Sequence, residues 1–205
     1  MTPPPMNFIA EVSPRDNTVA GLWQKMMQYS FVWVRGPYRS GKSILAELIH
    51  HHARKVLPSA TVIPVAGRRA TPKDREETWT YLNRRRRRGF PTIFIFDSAQ
   101  RAYGNTILWP DFFNDLCNQQ SKDVYAIVFA SYGNPLSRFE INGRPMDVDV
   151  KRRITSSPID HNDGCPAIGL LLTKEEFGDV IKRRYDVHDG HIFEEKLLTK
   201  IFGCS

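Results

Sequence analysis

Hydrophobic residues along the chain fall into short continuous runs separated by more polar stretches. Four of these runs have the length and composition of buried strands, and they cover residues 31–34, 61–65, 92–97 and 124–131. A fifth apolar run at 167–172 is predicted to be the last strand. Proline cannot donate to a strand ladder, so Pro64 indicates that the second strand lies at a sheet edge.

Helical patterns lie between and beyond these runs, at 17–28, 42–57, 72–88, 106–120, 173–185 and 191–202. Pro110 interrupts the first turn of the fourth helix, and Thr173 followed by Glu176 is a capping-box start for the fifth. Residues 132–166 form either a long loop or a hairpin carrying Val148 and Val150. Strands that alternate with helices predict an α/β fold, with a five-stranded, mainly parallel sheet covered by helices on both faces.

The length of 205 residues suits one such domain. We expect a flexible N-terminus over 1–16, the domain over 17–190, and over 191–205 the start of a C-terminal helical segment that is truncated. Three scattered cysteines indicate neither a zinc site nor a disulfide framework, which favours a reducing, intracellular compartment. No apolar run reaches the roughly 18 residues that cross a bilayer, so no membrane partner is expected.

A phosphate-binding motif follows the first strand. The sequence G-x-x-x-x-G-K-[ST] is matched in full, between a predicted strand and a predicted helix. Its residues are Gly36, Pro37, Tyr38, Arg39, Ser40, Gly41, Lys42 and Ser43. The glycines allow backbone N–H groups to approach phosphate oxygens, the lysine places a charge on the outer phosphates, and the serine hydroxyl ligates Mg²⁺. The motif predicts a P-loop that binds a nucleotide.

An acid ends the third predicted strand. Asp97 occupies the position of the Walker B aspartate, which supports Mg²⁺ together with Ser43. The distance along the chain between these two residues leaves room for another strand, so the run at 124–131 is predicted to lie between the first and third strands. Ser131 and Asn134 at its end are then candidate sensors of the γ-phosphate. The guanine signature Asn-Lys-x-Asp is absent from the sequence, which favours ATP as the nucleotide.

Residues 34–135 resemble the P-loop domain of Crinkler-type proteins of fungi and oomycetes. The matching elements are Asp97 to Gln100, Tyr103, Leu108-Trp109, Phe112-Phe113 and Ala130 to Gly133. The resemblance implies an ASCE-type P-loop NTPase related to the AAA+ and STAND groups. It also implies an effector- or toxin-like protein that is secreted and acts in a host cell, with the nucleus as one destination.

The chain departs from that family at one position, because Ser98 stands where the family has a glutamate after the Walker B aspartate. A serine hydroxyl does not accept a proton from water at neutral pH, and losing a general base costs about 10²–10⁴ in rate. We therefore expect Mg-ATP binding with weak or absent hydrolysis. The alternative is an active ATPase that uses another base. The candidates for that base are Glu140, Asp147 and Asp149.

A run of five arginines ends the third predicted helix. It consists of Arg84, Arg85, Arg86, Arg87 and Arg88 and carries much of the net charge of +7. Three interpretations stay open: a solvated helix end, a contact for nuclear import or nucleic acid, and an arginine that reaches the nucleotide of a neighbouring subunit in a homo-oligomer. A module that binds nucleic acid or a host protein is therefore a further hypothesis.

Three aromatic residues in the fourth predicted helix, Trp109, Phe112 and Phe113, have helical spacing. We predict that they belong to the hydrophobic core and do not form a surface on which a base stacks.

Overall fold

The computed structural model describes residues 13–66, 89–103, 108–119, 123–132 and 148–185. The α-helices are α1 (Asp16–Tyr29), α2 (Lys42–Val56), α3 (Asn114–Gln119) and α4 (Lys174–Tyr185). The strands are β1 (Phe31–Pro37), β2 (Thr61–Ala66), β3 (Thr92–Asp97), β4 (Val124–Tyr132) and β5 (Arg153–Ile154). Short 3-10 helices cover Ala99–Ala102 and Val150–Arg152, and a π-helix covers Leu108–Phe113. The helices predicted at 72–88 and 191–202 lie outside the described residues.

The chain divides into two compact units, one formed by residues 17–170 and the other by 1–16 with 171–205. The first unit contains the whole sheet. The domain limits expected from the sequence stay a prediction. Within the described ranges, no helix is both long and apolar enough to cross a membrane.

All five strands pair in parallel, in the order β2-β3-β4-β1-β5. The strand β4 lies between β3 and β1, as the sequence predicted, and β2 lies at one edge, as its proline indicated. Because the strands are parallel, the loop after β1 and the acid at the end of β3 emerge at the same edge of the sheet. This arrangement is an α/β fold of the P-loop NTPase type.

Helical elements cover both faces of the sheet, which explains why its strands are apolar throughout. On one face, α2 packs against β2, β3 and β4. On the other face, aromatic side chains of β1 and β3 join the π-helix and α3 in one buried cluster. Trp109, Phe112 and Phe113 belong to this cluster and are at most 4% exposed, so the prediction that they are core residues is confirmed.

The helix predicted at 106–120 is found as two pieces, the π-helix followed by α3. Pro110 lies in the π-helix and has no N–H group to donate to the preceding turn, which favours a wider turn here. Trp109 fixes the start of this segment, because its indole Nε1 donates to the carbonyl oxygen of Ala102 at 3.0 Å.

The prediction of a fifth strand at 167–172 is wrong. The strand β5 is Arg153–Ile154, which pairs with Trp33 and Val34 of β1. Val148 lies in no regular element and Val150 begins a 3-10 helix, so neither lies in a strand of the hairpin that was the alternative to a loop. The N–H group of Leu170 donates to the carbonyl oxygen of Thr155 at 2.9 Å, but the segment around it is not a strand.

Ile168 and Leu170 in this run are buried for a different reason, since they fill spaces beside glycines. A Cβ atom added at Gly21 of α1 would lie 2.5 Å from Ile168 Cγ2, and one added at Gly36 would lie 2.2 Å from Leu170 Cδ1. Ile168 and Leu170 therefore pack against backbone that carries no side chain. An apolar run in the sequence reports burial, and burial alone does not require strand pairing.

A buried ion pair anchors the same segment to α1. Lys25 Nζ lies 2.8 Å from Asp163 Oδ2, and the two side chains are 1% and 2% exposed. The hydroxyl of Tyr29 donates to the same carboxylate oxygen at 2.8 Å. The cost of burying the two charges is thus offset by direct pairing and an additional hydrogen bond.

The capping box predicted for α4 is confirmed. The N–H group of Glu176 donates to Thr173 Oγ1 at 3.1 Å, and the N–H group of Thr173 donates to Glu176 Oε2 at 3.2 Å. The same carboxylate oxygen accepts from Arg15 Nε at 3.1 Å, so Glu176 serves both the helix start and a buried ion pair.

Candidate functional site

The loop between β1 and α2 turns tightly at the edge of the sheet. The N–H group of Ser40 donates to the carbonyl oxygen of Pro37 at 3.3 Å. Arg39 and Gly41 have φ angles of 63° and 79°, both in the left-handed region. Alternation of left- and right-handed residues turns successive N–H groups toward one concave side, which is a common anion-binding arrangement. Gly41 also has no side chain to cap α2, so the N–H groups of the first helical turn stay available to a ligand.

The two glycines of the motif are required for different reasons. A Cβ atom at Gly36 would lie 2.2 Å from Leu170 and 3.0 Å from Ser40 Oγ, so this position is limited by space. At Gly41 a Cβ atom would meet nothing within 4 Å, but the φ angle of 79° is strained for any other residue. The first glycine therefore permits close packing, and the second permits the turn into α2.

The ammonium group of Lys42 lies inside the loop. Its Nζ donates to the carbonyl oxygens of Gly36 and Pro37, at 3.2 and 2.6 Å, and to Ser40 Oγ at 2.9 Å. Burial lowers the pKa of Lys42 to about 8, and the charge of Asp97 opposes that shift. The ammonium group is thus desolvated, and its hydrogen-bond acceptors among the described residues are all neutral.

The predicted metal ligands are compatible with Mg²⁺. Asp97 is the last residue of β3 and is half-buried, and its carboxylate acts electrostatically on Lys42. Ser43 is exposed in the first turn of α2. Together they offer a carboxylate and a hydroxyl oxygen, and Mg²⁺ prefers oxygen ligands and binds through few protein groups plus phosphate.

Ser98 carries the chain sharply out of β3. It has a φ angle of 58° and a ψ angle of 36°, and its carbonyl oxygen accepts from the N–H group of Arg101 at 3.1 Å. Its backbone conformation therefore starts the 3-10 helix Ala99–Ala102. Its side chain is a hydroxyl, which does not accept a proton from water at neutral pH.

The pairing of β4 with β1 brings Ser131 directly opposite Gly36. The predicted sensor residue thus lies beside the first residue of the phosphate loop. Its N–H group donates to Gln100 Oε1 at 3.0 Å. Asn134, the other sensor candidate, lies outside the described residues.

Several other predicted residues also lie outside the described ranges, namely Arg84, Arg85, Arg86, Arg87, Arg88, Glu140 and Asp147. Among the alternative bases, Asp149 is described. It is exposed, and its Oδ1 accepts from the N–H group of Lys151 at 2.9 Å at the start of the 3-10 helix Val150–Arg152. Its observed contact is that of a helix cap.

Two residues near the loop had no role assigned from the sequence. Gln100 was named only within the segment that carries the family resemblance, and its position in the turn after an acid-terminated strand was the signal available. Arg35 directly precedes Gly36, and its guanidinium carbon lies 4.7 Å from the ring centroid of Trp33 and 5.6 Å from that of Tyr132. This stacked cation adds positive charge next to the loop, which favours an anionic ligand.

Comparison with known proteins found no matching family model and no matching curated protein. Among solved structures, the chain is similar to PCH-2 from C. elegans, with 8% sequence identity and a TM-score of 0.41. The match covers 60% of this chain and 37% of that chain, so it spans little more than a third of the length of PCH-2. A likeness of this size says nothing about the site, which is therefore assigned from the residues of this chain.

Proposed function

We propose that this chain binds a nucleoside triphosphate, with ATP as the default, together with Mg²⁺, and acts as a nucleotide-dependent switch. One observation carries the proposal: the buried ammonium group of Lys42 is held by neutral oxygens of its own loop, at a helix N-terminus without a side-chain cap. Phosphate oxygens carry negative charge, so they attract the ammonium group as well as accept its hydrogen bonds, and this attraction is stronger in a desolvated loop than in water. A phosphate would therefore compensate the desolvation that the loop imposes on Lys42.

Each residue has a role that follows from its position. The loop N–H groups and Lys42 bind the outer phosphates, and Ser43 and Asp97 support the metal. When bound, Mg²⁺ neutralises charge between the β- and γ-phosphates. Ser131, next to the last residue of β4, pairs with the first loop residue, Gly36, and it is assigned to the terminal phosphate.

Hydrolysis of the β–γ phosphoanhydride is proposed to be weak. Ser98 replaces the expected base, and Asp149, the described candidate among the alternative bases, is engaged as a helix cap. Without a base, turnover should be lower by about 10²–10⁴ than in an enzyme with a positioned carboxylate. The nucleotide would then stay bound in the triphosphate form, which suits a switch.

The test is Mg-ATP binding and turnover measured on the same preparation. Lys42→Ala should abolish binding, while Lys55→Ala, which changes an exposed lysine in the last turn of the same helix, should leave it unchanged. Ser98→Glu should raise turnover without changing affinity much. Binding that survives in Lys42→Ala would refute the assignment of the site. Brisk turnover of the unmodified protein would refute the weak-hydrolysis part alone.

The wider context is proposed from the sequence resemblance alone. A Crinkler-type effector would be secreted and act in a host cell, with a homo-oligomer, a host protein or nucleic acid as partner. The run of residues 84–88 is the proposed contact for nucleic acid. If it binds DNA, replacing all five arginines with alanine should weaken affinity and flatten its dependence on salt concentration. Equal DNA affinity and equal salt dependence in the variant would remove nucleic acid as a partner of this run.

A further inference from the structure

The strands β3 and β4 separate just before the site. Their last paired residues are Phe96 and Val128, whereas β4 continues through Tyr132 with β1 as its only strand partner there. Near its end, β4 therefore has backbone groups on the β3 side that no longer face a strand. The side chain of Gln100 replaces the missing strand at one of them, because its Oε1 accepts from the N–H group of Ser131 at 3.0 Å.

Gln100 is well placed to hold another element, because its own backbone is fixed. The neighbouring Ala99 and Ala102 are 1% and 0% exposed and belong to the core cluster. The carbonyl oxygen of Ala102 also accepts the indole hydrogen bond of Trp109. A side chain carried by a backbone anchored in this way can position a partner with little freedom.

This hydrogen bond joins two parts of the candidate site. Gln100 lies in the turn that follows Asp97, and Ser131 lies opposite Gly36 at the start of the phosphate loop. We propose that Gln100 is a positioning residue for the terminal phosphate: it holds the end of β4 so that the hydroxyl of Ser131 donates to a γ-phosphate oxygen. The chain would then distinguish a nucleoside triphosphate from a diphosphate through Ser131. This inference rests on the proposed nucleotide binding.

The experiment compares dissociation constants for Mg-ATP and Mg-ADP. Gln100→Met keeps the length of the side chain and removes the acceptor, so affinity for Mg-ATP should fall about tenfold while that for Mg-ADP changes less than about twofold. Ser131→Ala should lose a similar amount of Mg-ATP affinity. Because both changes remove one contact, the double variant should lose no more than either single variant. Gln24→Met is the matched control, since Gln24 lies on α1 and the change removes its hydrogen bond to the carbonyl oxygen of Gly164.

The outcomes separate the two proposals. If the unmodified protein binds neither nucleotide, the proposed function fails and this inference falls with it. If the protein binds both nucleotides equally, or Gln100→Met weakens both equally, nucleotide binding stands and the positioning role is overturned. Additive losses in the double variant would also overturn it. Should Gln100→Met not fold, Ser131→Ala keeps the backbone hydrogen bond intact, and an unchanged preference for ATP in that variant would overturn the inference.

Discussion

Two lysines are buried among the residues that the structure describes, and they have opposite surroundings. Lys25 of α1 is 1% exposed, and a carboxylate oxygen of Asp163 lies 2.8 Å from its ammonium group. Lys42 is 7% exposed, and its ammonium group donates to two carbonyl oxygens and one hydroxyl. One buried cation thus has its counter-charge within the fold, and the other is held by neutral groups at the edge of the sheet.

The pKa values of the buried groups differ between the two regions for this reason. Burial raises the pKa of Asp163, but hydrogen bonds from Lys25 and Tyr29 outweigh it and hold that pKa well below its usual range. Burial, supported by the hydrogen bond to the same carboxylate, raises the pKa of Tyr29 to about 12. Around Lys42, burial outweighs the opposing charge of Asp97 and lowers the pKa of the ammonium group to about 8. The first region has its counter-charge within the fold, and we propose that an anion supplies it in the second.

The largest expected effect comes from making the same substitution in both regions. Lys25→Met leaves the carboxylate of Asp163 buried without its cation and should lower the free energy of unfolding by about 3–5 kcal/mol. Lys42→Met leaves only neutral oxygens behind and should cost less, about 1–3 kcal/mol, in the nucleotide-free protein. Urea unfolding of both variants measures the difference. Equal losses of unfolding free energy in the two variants would contradict the difference drawn between the two lysines.

The next effect is a pH dependence of nucleotide affinity. The charged form of Lys42 binds phosphate, but with a pKa of about 8 the free protein increasingly carries the neutral amine as the pH rises past that value. Binding must then restore the proton, so Mg-ATP affinity should fall about tenfold between pH 7 and pH 9. Lys55→Met, a change on the exposed end of the same helix, should show the same pH profile as the unmodified protein. A flat profile over this range would contradict the low pKa of Lys42.

The smallest expected effect compares one glycine from each region. Gly41 and Gly164 have φ angles of 79° and 77°, and at neither would a Cβ atom meet another within 4 Å. Replacing either with alanine should cost about 1–2 kcal/mol of stability through left-handed strain alone. Gly41→Ala should also weaken Mg-ATP binding, whereas Gly164→Ala should not. Thermal unfolding and Mg-ATP titrations of both variants test this. Equal Mg-ATP affinities in the two variants would show that the turn at Gly41 does not contribute to binding.

Local patterns in the sequence predicted most of the sheet. The four runs that became β1 to β4 are apolar throughout because both faces of the sheet are covered, and the distance between Ser43 and Asp97 left room for the interposed strand β4. The run at 167–172 misled because its buried residues, Ile168 and Leu170, pack beside glycines and do not pair in the sheet. That packing joins residues far apart in the chain, and no periodicity within the run reveals it.

The candidate site likewise has one part that could be predicted from the sequence and one part that could not. Its phosphate loop is a continuous motif, so its residues could be named from the sequence. The hydrogen bond of Gln100 could not, because it depends on where β3 ends relative to β4, and its partner Ser131 is 31 residues away. The ion pair of Lys25 and Asp163 spans 138 residues and carries no local signal at all.

The most direct test is calorimetric titration of Mg-ATP at pH 8 in two buffers that differ in ionisation enthalpy. If phosphate pairs with the charged ammonium group of Lys42, binding should take up about half a proton per site at this pH. The reason is that the pKa of Lys42 in the free protein is about 8. Lys42→Met should show no binding heat in either buffer. Binding without proton uptake, or binding that persists in Lys42→Met, would contradict the assignment of Lys42 as the phosphate ligand.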